Sequence, residues 1–363
     1  MMNNKEDVLT ESQLILMIMG GIIGVSVLSL PLAPIEVAKQ DAWIATFLGM
    51  IYPIYVVFMT IYIRKKHPKE DILDLSRKIY GKILGNILNL IFLLFFFLIA
   101  TDVAAGINNV LRTYMVSFLN PWNILTILFL GAAYAVYGGT KAVGRLSEVL
   151  FYITFIVFLI PIFSLKKSDL LNLQPVLGSG VKNIINATKK TIIAYSGAEM
   201  LLILYPFIDK NVEIKKVGIK SISFITILYT LYTLLTILHL GINGTNKYLW
   251  PVITISRSIT IPVINSFSYI FLSLWTMTLF KCISVHYYLF AHGLNKIFVR
   301  ISRKSWAILL YPIMVIVSTL YGTPPMRRNF LDKIFPPYVI FNIIFISITA
   351  LLIALGKGDK NEK

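Results

Sequence analysis

Three ionisable side chains lie inside long apolar stretches of the sequence: Asp102, Glu199 and Lys281. A charge near the centre of a bilayer costs at least about 2.5–3.5 kcal/mol on insertion scales, so each is a candidate for function. A carboxylate there could hold the ammonium group of an amino acid or bind a proton, and Lys281 could replace a bound cation. The alternative is an internal ion pair, between Lys281 and Glu199 or Asp102, that only joins helices.

Glycines interrupt two of the apolar stretches at matching positions. One stretch reads MGGIIGVSVLSLP over residues 19–31, and the other reads AYSGAEMLLILYPF over residues 194–207. Gly21 and Gly197 are 176 positions apart, and the prolines that follow them are 175 apart, so the interruptions recur in register. The residues expected to bind a ligand at these interruptions are Gly20, Gly21, Gly24, Ser196, Gly197 and Glu199.

The matching interruptions predict two broken helices. Unwound backbone exposes helix N-termini that attract a carboxylate, and carbonyl groups that attract a cation or an ammonium group. Interrupted segments at corresponding positions of two inverted halves are typical of a transporter-type binding site. The alternative is that the glycines only permit close helix packing, since Gly20 and Gly24 have the four-residue spacing of small-residue packing motifs.

The composition places these residues in a membrane protein. Of 363 residues, 57% are apolar and 14% are charged, against about 45–50% and 25% in soluble domains. Ten stretches have the length of about 20 residues that a membrane-spanning helix needs, and open strands are not tolerated in lipid. The predicted all-α spans are 12–36, 41–63, 83–111, 122–138, 144–165, 184–207, 218–240, 266–291, 306–321 and 336–355.

The first and sixth spans are equivalent, which predicts a repeat of five helices plus five. Because five is odd, the two halves have opposite orientations in the membrane. The predicted repeats cover residues 12–165 and 184–355 of a single transmembrane domain, followed by a cytoplasmic tail at 356–363.

The net charge of +17 is interpreted as cytoplasmic loops beside membrane lipid rather than as a nucleic-acid surface. With the N-terminus inside, the inner segments hold 21 Lys and Arg residues and the outer segments hold 12. This bias predicts that both termini are cytoplasmic. The segment Thr10-Glu11-Ser12-Gln13 has the pattern of a capping box that opens the first helix, and no signal peptide is expected.

The sequence predicts neither an enzyme nor a cofactor. A P-loop and an H-E-x-x-H motif are both missing from the sequence. The single cysteine, Cys282, lies four residues before His286, but no orienting acid is evident. The four histidines are dispersed, so no metal site is expected.

The GGIIG opening of the first interruption and the Glu199-containing SGAEMLLILYPFI segment resemble the B subunits of GerA-type spore germinant receptors. These endospore germination permeases are a branch of the amino acid/polyamine/organocation transporter superfamily. The resemblance covers essentially the whole chain. It implies a leucine-transporter-like fold in the spore inner membrane and nutrient sensing beside an A-type subunit and a lipid-anchored C-type subunit.

In that fold the third and eighth spans flank the broken helices. Phe97 and Thr101 of the third span are therefore expected to line the ligand cavity. Thr276 and Phe280 of the eighth span share one helix face and are expected to do the same.

These expectations favour a sensor that binds a small amino acid or a related nutrient and signals to partner subunits. A proton-coupled amino acid or amine permease would use the same residues, and sustained flux would distinguish it. An ion or water conduit within the complex and a scaffold without a ligand are further alternatives. The sequence does not identify the ligand.

Overall fold

The computed structural model describes residues 8–209, 211–258 and 267–358, with the side chain of Phe267 excepted. The first seven residues of the predicted cytoplasmic N-terminus and residues 359–363 of the predicted tail lie outside this range. The helices are α1 (Glu11–Ile22), α2 (Leu32–Ala38), α3 (Ala42–Leu48), α4 (Ile51–Lys66), α5 (Ile72–Tyr80), α6 (Lys82–Tyr114), α7 (Pro121–Gly138), α8 (Thr140–Thr154), α9 (Val181–Thr191), α10 (Leu201–Leu204), α11 (Ile214–Thr245), α12 (Pro251–Arg257), α13 (Phe267–Ile297), α14 (Arg303–Leu320) and α15 (Pro324–Ala354).

Eight helical segments of the described chain are long and apolar enough to cross a membrane. They correspond to eight of the ten predicted spans. The other two, the interrupted first and sixth, contain only the shorter apolar helical segments Glu11–Ile22 and Ala198–Phe207. The prediction of a nearly all-helical chain in which these two helices are broken is confirmed.

The two broken helices lie at the centre of the bundle. Nine of the twelve residues of α1 are buried, and α1 packs against α8, α11 and α13. The segment from Ala198 to Phe207 is buried except at Pro206. The long helices α11 and α13 also contribute to this centre, since more than half of the apolar window of each is buried.

Helix α1 begins with the predicted capping box. The Thr10 hydroxyl accepts a hydrogen bond from the Gln13 amide at 3.2 Å, and the Gln13 side chain accepts one from the Thr10 amide at 3.3 Å. Just before the cap, the Leu9 amide donates to the Phe207 carbonyl at 2.8 Å. The segment before the first broken helix is thus hydrogen-bonded to the end of the sixth predicted span.

The start of the last span was predicted at residue 336, which is wrong. Helix α15 begins at Pro324, and Pro336 and Pro337 lie inside it. Proline is tolerated within a membrane helix because neighbouring groups satisfy the backbone carbonyls that it frees. The pair of prolines therefore does not mark the helix start, and residues 324–335 belong to the bundle.

Candidate ligand site between the two broken helices

The first break follows Ile22, where the backbone of α1 leaves the helical conformation. Ile23 has φ −73° and ψ 86°, and Gly24 is extended with φ −97° and ψ −175°. A short 3-10 segment, Val25–Ser29, continues the chain toward α2. The backbone dihedral angles at Ile23 and Gly24 are open to any residue. Gly24 therefore contributes by lacking a side chain, which leaves space beside it.

The second break depends on a left-handed glycine. Helix α9 is followed by a 3-10 turn, Ile192–Tyr195, and then by Ser196 in an extended conformation. Gly197 has φ +116° and ψ −17°, a conformation that glycine adopts without the steric cost of a side chain. The helix resumes at Ala198.

The two breaks touch each other through their main chains. A Cβ atom placed on Gly197 would lie 3.1 Å from the Gly21 carbonyl oxygen. That carbonyl accepts a hydrogen bond from Cys282 Sγ at 3.2 Å, and the Ile22 carbonyl accepts one from Tyr229 Oη at 2.9 Å. Side chains of α13 and α11 thus satisfy the carbonyl groups that the first break exposes.

A cavity of about 110 Å³ lies between the breaks. Of the residues predicted to bind a ligand or carry a buried charge, Gly21, Gly24, Ser196 and Asp102 line it. Ser196 Oγ is buried and has no hydrogen-bond partner among the residues that the structure describes, and such a group is stabilised by a bound polar ligand or water. The other lining residues are Ile22, Ser26, Ile99, Val103, Ile193, Ala194, Cys282, Leu331 and Phe335.

Asp102, which lines the cavity, forms a buried ion pair. Its Oδ1 accepts a hydrogen bond from Arg327 Nε at 2.6 Å, and both side chains are less than a tenth exposed. Of the alternatives left open for Asp102, an ion pair with Lys281 is not the one formed, since its partner is Arg327. Arg327 was missed because the span containing it was predicted to begin beyond it, at the two prolines.

Glu199 lies behind the second break rather than in the cavity. Its carboxylate is fully buried and accepts hydrogen bonds from Tyr52 Oη at 2.5 Å, Asn342 Nδ2 at 3.0 Å and the Gly197 amide at 2.7 Å. These donors satisfy an ionised carboxylate without a cation. The bond to the Gly197 amide fixes the left-handed turn, so Glu199 shapes the break itself.

Lys281 has no carboxylate within 4.0 Å among the described residues, so the alternative of an ion pair with Glu199 is not formed either. Its side chain is 1% exposed, its stem lies beside Gly20, and its ammonium group lies 5.2 Å from the ring centroid of Phe151 and 5.9 Å from that of Phe158. The aromatic faces partly compensate the buried charge.

Four residues predicted to line the cavity lie elsewhere. Phe97 packs against Phe290 with ring centroids 5.0 Å apart, and the Thr101 hydroxyl donates to the Phe97 carbonyl. The Thr276 hydroxyl donates to the Leu272 carbonyl, and Phe280 lies against Gly131 of α7. Gly20 and Gly197 flank the cavity without lining it.

The face of α13 that meets the breaks carries Cys282 and His286 instead of Thr276 and Phe280. His286 Nδ1 lies 2.9 Å from the Cys282 carbonyl oxygen, and its Nε2 is buried without a hydrogen-bond partner beside Gly197. Their four-residue spacing places Cys282 and His286 on one helix face. That spacing was the signal in the sequence, but it was weighed only for catalysis.

Two broken central helices that meet at a small cavity are the arrangement typical of membrane transporter folds. The crystal structure of MhsT in complex with L-phenylalanine matches this chain with a TM-score of 0.67, covering 97% of this chain and 90% of that one at 15% identity. At this identity the likeness shows the fold alone, and the predicted leucine-transporter-like fold is confirmed.

Sequence comparison defines the family. The family described as spore germination protein matches residues 8–327. Spore germination protein YndE of Bacillus subtilis (strain 168) is 26% identical over 360 residues, which cover 97% of each chain. Spore germination protein B2 of the same strain is 25% identical over 325 residues, 88% of each chain. The chain belongs to the spore germination protein family and is an integral membrane protein.

Proposed function

We propose that this chain is the nutrient-binding subunit of a spore germinant receptor and that it binds a small amino acid between the two breaks. The observation that carries the proposal is the cavity of about 110 Å³ bounded by Gly21, Gly24 and Ser196. An engineered cavity of about 150 Å³ binds benzene, so this one has room for a ligand of only a few heavy atoms. That size favours the smallest amino acids.

The polar groups around the cavity suit a zwitterion. Asp102 lines the cavity, and Arg327, which pairs with it, is not among the lining residues. The ligand ammonium group binds toward Asp102, and the ligand carboxylate binds toward the Ser196 hydroxyl, which has no partner among the described residues. Charge-assisted hydrogen bonds of this kind are about twice as strong as neutral ones.

Helix α15 supplies a route from the ligand to the rest of the molecule. Arg327 contacts Asp102 at the cavity, and Asn342 of the same helix contacts Glu199 behind the second break. A ligand that binds better to one arrangement of these contacts shifts the population toward it. In the spore inner membrane, this shift is read by A-type and lipid-anchored C-type partner subunits.

A proton-coupled amino acid permease is the second candidate, and the surroundings of Glu199 favour it. Asn342 Oδ1 is buried without a partner while its Nδ2 donates to Glu199. Rotation of this amide by half a turn would let a protonated Glu199 donate to Oδ1. The site can therefore hold Glu199 with or without a proton, as a coupled carrier requires.

The test is the germination of spores lacking this gene, measured on a panel of single amino acids, with dodecylamine as a receptor-independent control. We expect loss of the response to a subset of small amino acids and an intact dodecylamine response. The purified chain in liposomes is then tested for uptake of the labelled amino acid concerned. Binding without sustained uptake supports the sensor, uptake supports the permease, and germination that is unchanged on every amino acid contradicts the sensor.

A further inference from the structure

A second cavity lies where α6 and α14 end and α7 and α15 begin. It has a volume of about 480 Å³, and several polar side chains lie in a lining that is otherwise apolar. It shares no lining residue with the cavity between the breaks. Asn108, on its wall, follows Asp102 by six residues, or about 9 Å along α6. Its polar lining includes Asn108, Asn109, Arg112, Thr113, Thr319 and Thr323.

Three polar atoms of residues around this cavity have no hydrogen-bond partner within the part of the chain that the structure describes. They are Asn108 Oδ1, Asn109 Nδ2 and Arg112 Nε, and all three atoms are buried. The two asparagine side chains are only 6% and 8% exposed. Buried polar groups are nearly always paired in proteins, and all three atoms belong to residues that line this cavity, so a ligand there is a candidate partner for these side chains.

The charge of the residues that line the cavity indicates that its ligand is an anion. Arg112 is the one charged side chain among the described residues that line the cavity, and none of those residues is acidic. A guanidinium group pairs strongly with phosphate, which offers several acceptor oxygens. With no carboxylate to hold a positively charged headgroup, the site favours a phosphate ester whose remaining part is neutral.

An apolar groove continues from this cavity along the lipid-facing side of the bundle. It has a volume of about 370 Å³ and shares Met326 with the polar cavity. Leu98, Val317, Leu320 and Phe330 form most of its surface. Leu320 is 74% exposed and Met326 is 60% exposed, so the groove is open to the surrounding lipid.

We propose that the polar cavity and the apolar groove together bind one anionic phospholipid of the phosphatidylglycerol type. The phosphate binds Arg112 and the two asparagine amides, and one acyl chain lies in the groove that begins at Met326. The groove also contacts Tyr321, whose hydroxyl lies 3.1 Å from that of Thr101, the residue before Asp102. The bound lipid therefore lies against the helices that form the cavity between the breaks.

The experiment is native mass spectrometry of the purified full chain, delipidated in detergent and titrated with phosphatidylglycerol, phosphatidylcholine or inorganic phosphate. We expect one phosphatidylglycerol molecule to bind with clear preference over phosphatidylcholine. Arg112→Gln should weaken it about tenfold, since a charge-assisted hydrogen bond is lost. Lys247→Gln, which removes an exposed charge outside the cavity, should leave binding unchanged.

A second variant tests the groove independently of the charge. Met326→Trp adds bulk at a side chain that is already 60% exposed, so folding is preserved, and it should reduce lipid binding while the thermal unfolding temperature stays at the wild-type value. Equal binding of inorganic phosphate in wild type and in Met326→Trp, without lipid preference, would replace the lipid with a free anion. Equal phosphatidylglycerol binding by Arg112→Gln and Lys247→Gln would overturn the site altogether.

Discussion

The two breaks solve the same problem in different ways. At the first break, other helices supply the donors for the exposed carbonyl groups: Cys282 for Gly21 and Tyr229 for Ile22. At the second break, the acceptor is local, since Glu199 binds the amide of Gly197 two residues earlier, and Tyr52 and Asn342 of other helices bind Glu199 in turn. Neighbouring helices therefore bind the first break directly, whereas they bind the second break through Glu199.

The two breaks also differ in the backbone conformation of their glycines. Gly24 is extended, a conformation open to any residue, whereas Gly197 is left-handed at φ +116°. The first break can therefore change its side-chain contacts while its dihedral angles stay in allowed regions. The second break has one backbone solution that only glycine adopts easily. Substitutions at the second break should act on the fold, and substitutions at the first should act mainly on the ligand.

The largest effect is expected from Gly197→Ala. The substitution strains the left-handed backbone and places a Cβ 3.1 Å from the Gly21 carbonyl oxygen. We expect a loss of about 1–3 kcal/mol of stability and loss of the amino acid response. Gly81→Ala is the matched control, because Gly81 also has positive φ but a Cβ placed on it would meet nothing within 4 Å. An equal loss of response in both variants would show that strain alone, not contact between the breaks, is responsible.

Glu199→Gln should have the next largest effect. The amide keeps one acceptor for Tyr52 but turns a donor toward the donating amide of Gly197. We expect a cost of about 1–3 kcal/mol and a weaker amino acid response from a protein that still accumulates in the spore membrane. Glu148→Gln is the control. Glu148 accepts a hydrogen bond of 2.7 Å from the Ser12 hydroxyl, and this contact does not involve the breaks. A normal response in Glu199→Gln would remove Glu199 from the mechanism.

Gly24→Ala tests the space at the first break. A Cβ on Gly24 would lie 3.4 Å from Val103, an ordinary contact, and the same distance separates a Cβ on Gly244 from Leu240. Both alanine variants should therefore fold normally. Only Gly24→Ala narrows the cavity, and we expect it to raise the amino acid concentration for half-maximal germination about tenfold, or 1.4 kcal/mol. Equal dose–response curves for the two variants would place the ligand elsewhere.

The sequence was sufficient to predict the breaks because glycine clusters in register are a local signal. It was sufficient for the helical fold because long apolar stretches can be satisfied in lipid only as helices. The residues that line the cavity were harder to predict, since they depend on which face each helix turns toward its neighbours. Thr276 and Phe280 share one face of α13, but the packing of α1 selects the face with Cys282 and His286.

Long-range polar partners were equally hidden from the sequence. Asp102 pairs with Arg327, which is 225 residues away in the chain, and Glu199 binds Asn342 at a separation of 143. A periodicity or a motif cannot reveal contacts of this kind. The sequence left the partner of Asp102 open, and Arg327 was not weighed because the predicted last span began beyond it, whereas α15 begins at Pro324.

The smallest effect, and the most specific, is expected from Tyr229→Phe. It removes the hydrogen bond to the Ile22 carbonyl at the first break, whereas Tyr232→Phe removes a bond to the Phe158 carbonyl one turn along the same helix. Both tyrosines are fully buried, so each variant should lose about 0.5–1.5 kcal/mol of stability, measurable as similar shifts in thermal unfolding. If the first break is held by its neighbours, only Tyr229→Phe should also change the amino acid dose–response, because only it removes a donor from the carbonyl of a residue that lines the cavity. A change of equal size in Tyr232→Phe would mean that the response follows overall stability, and the distinction between the two breaks would be lost.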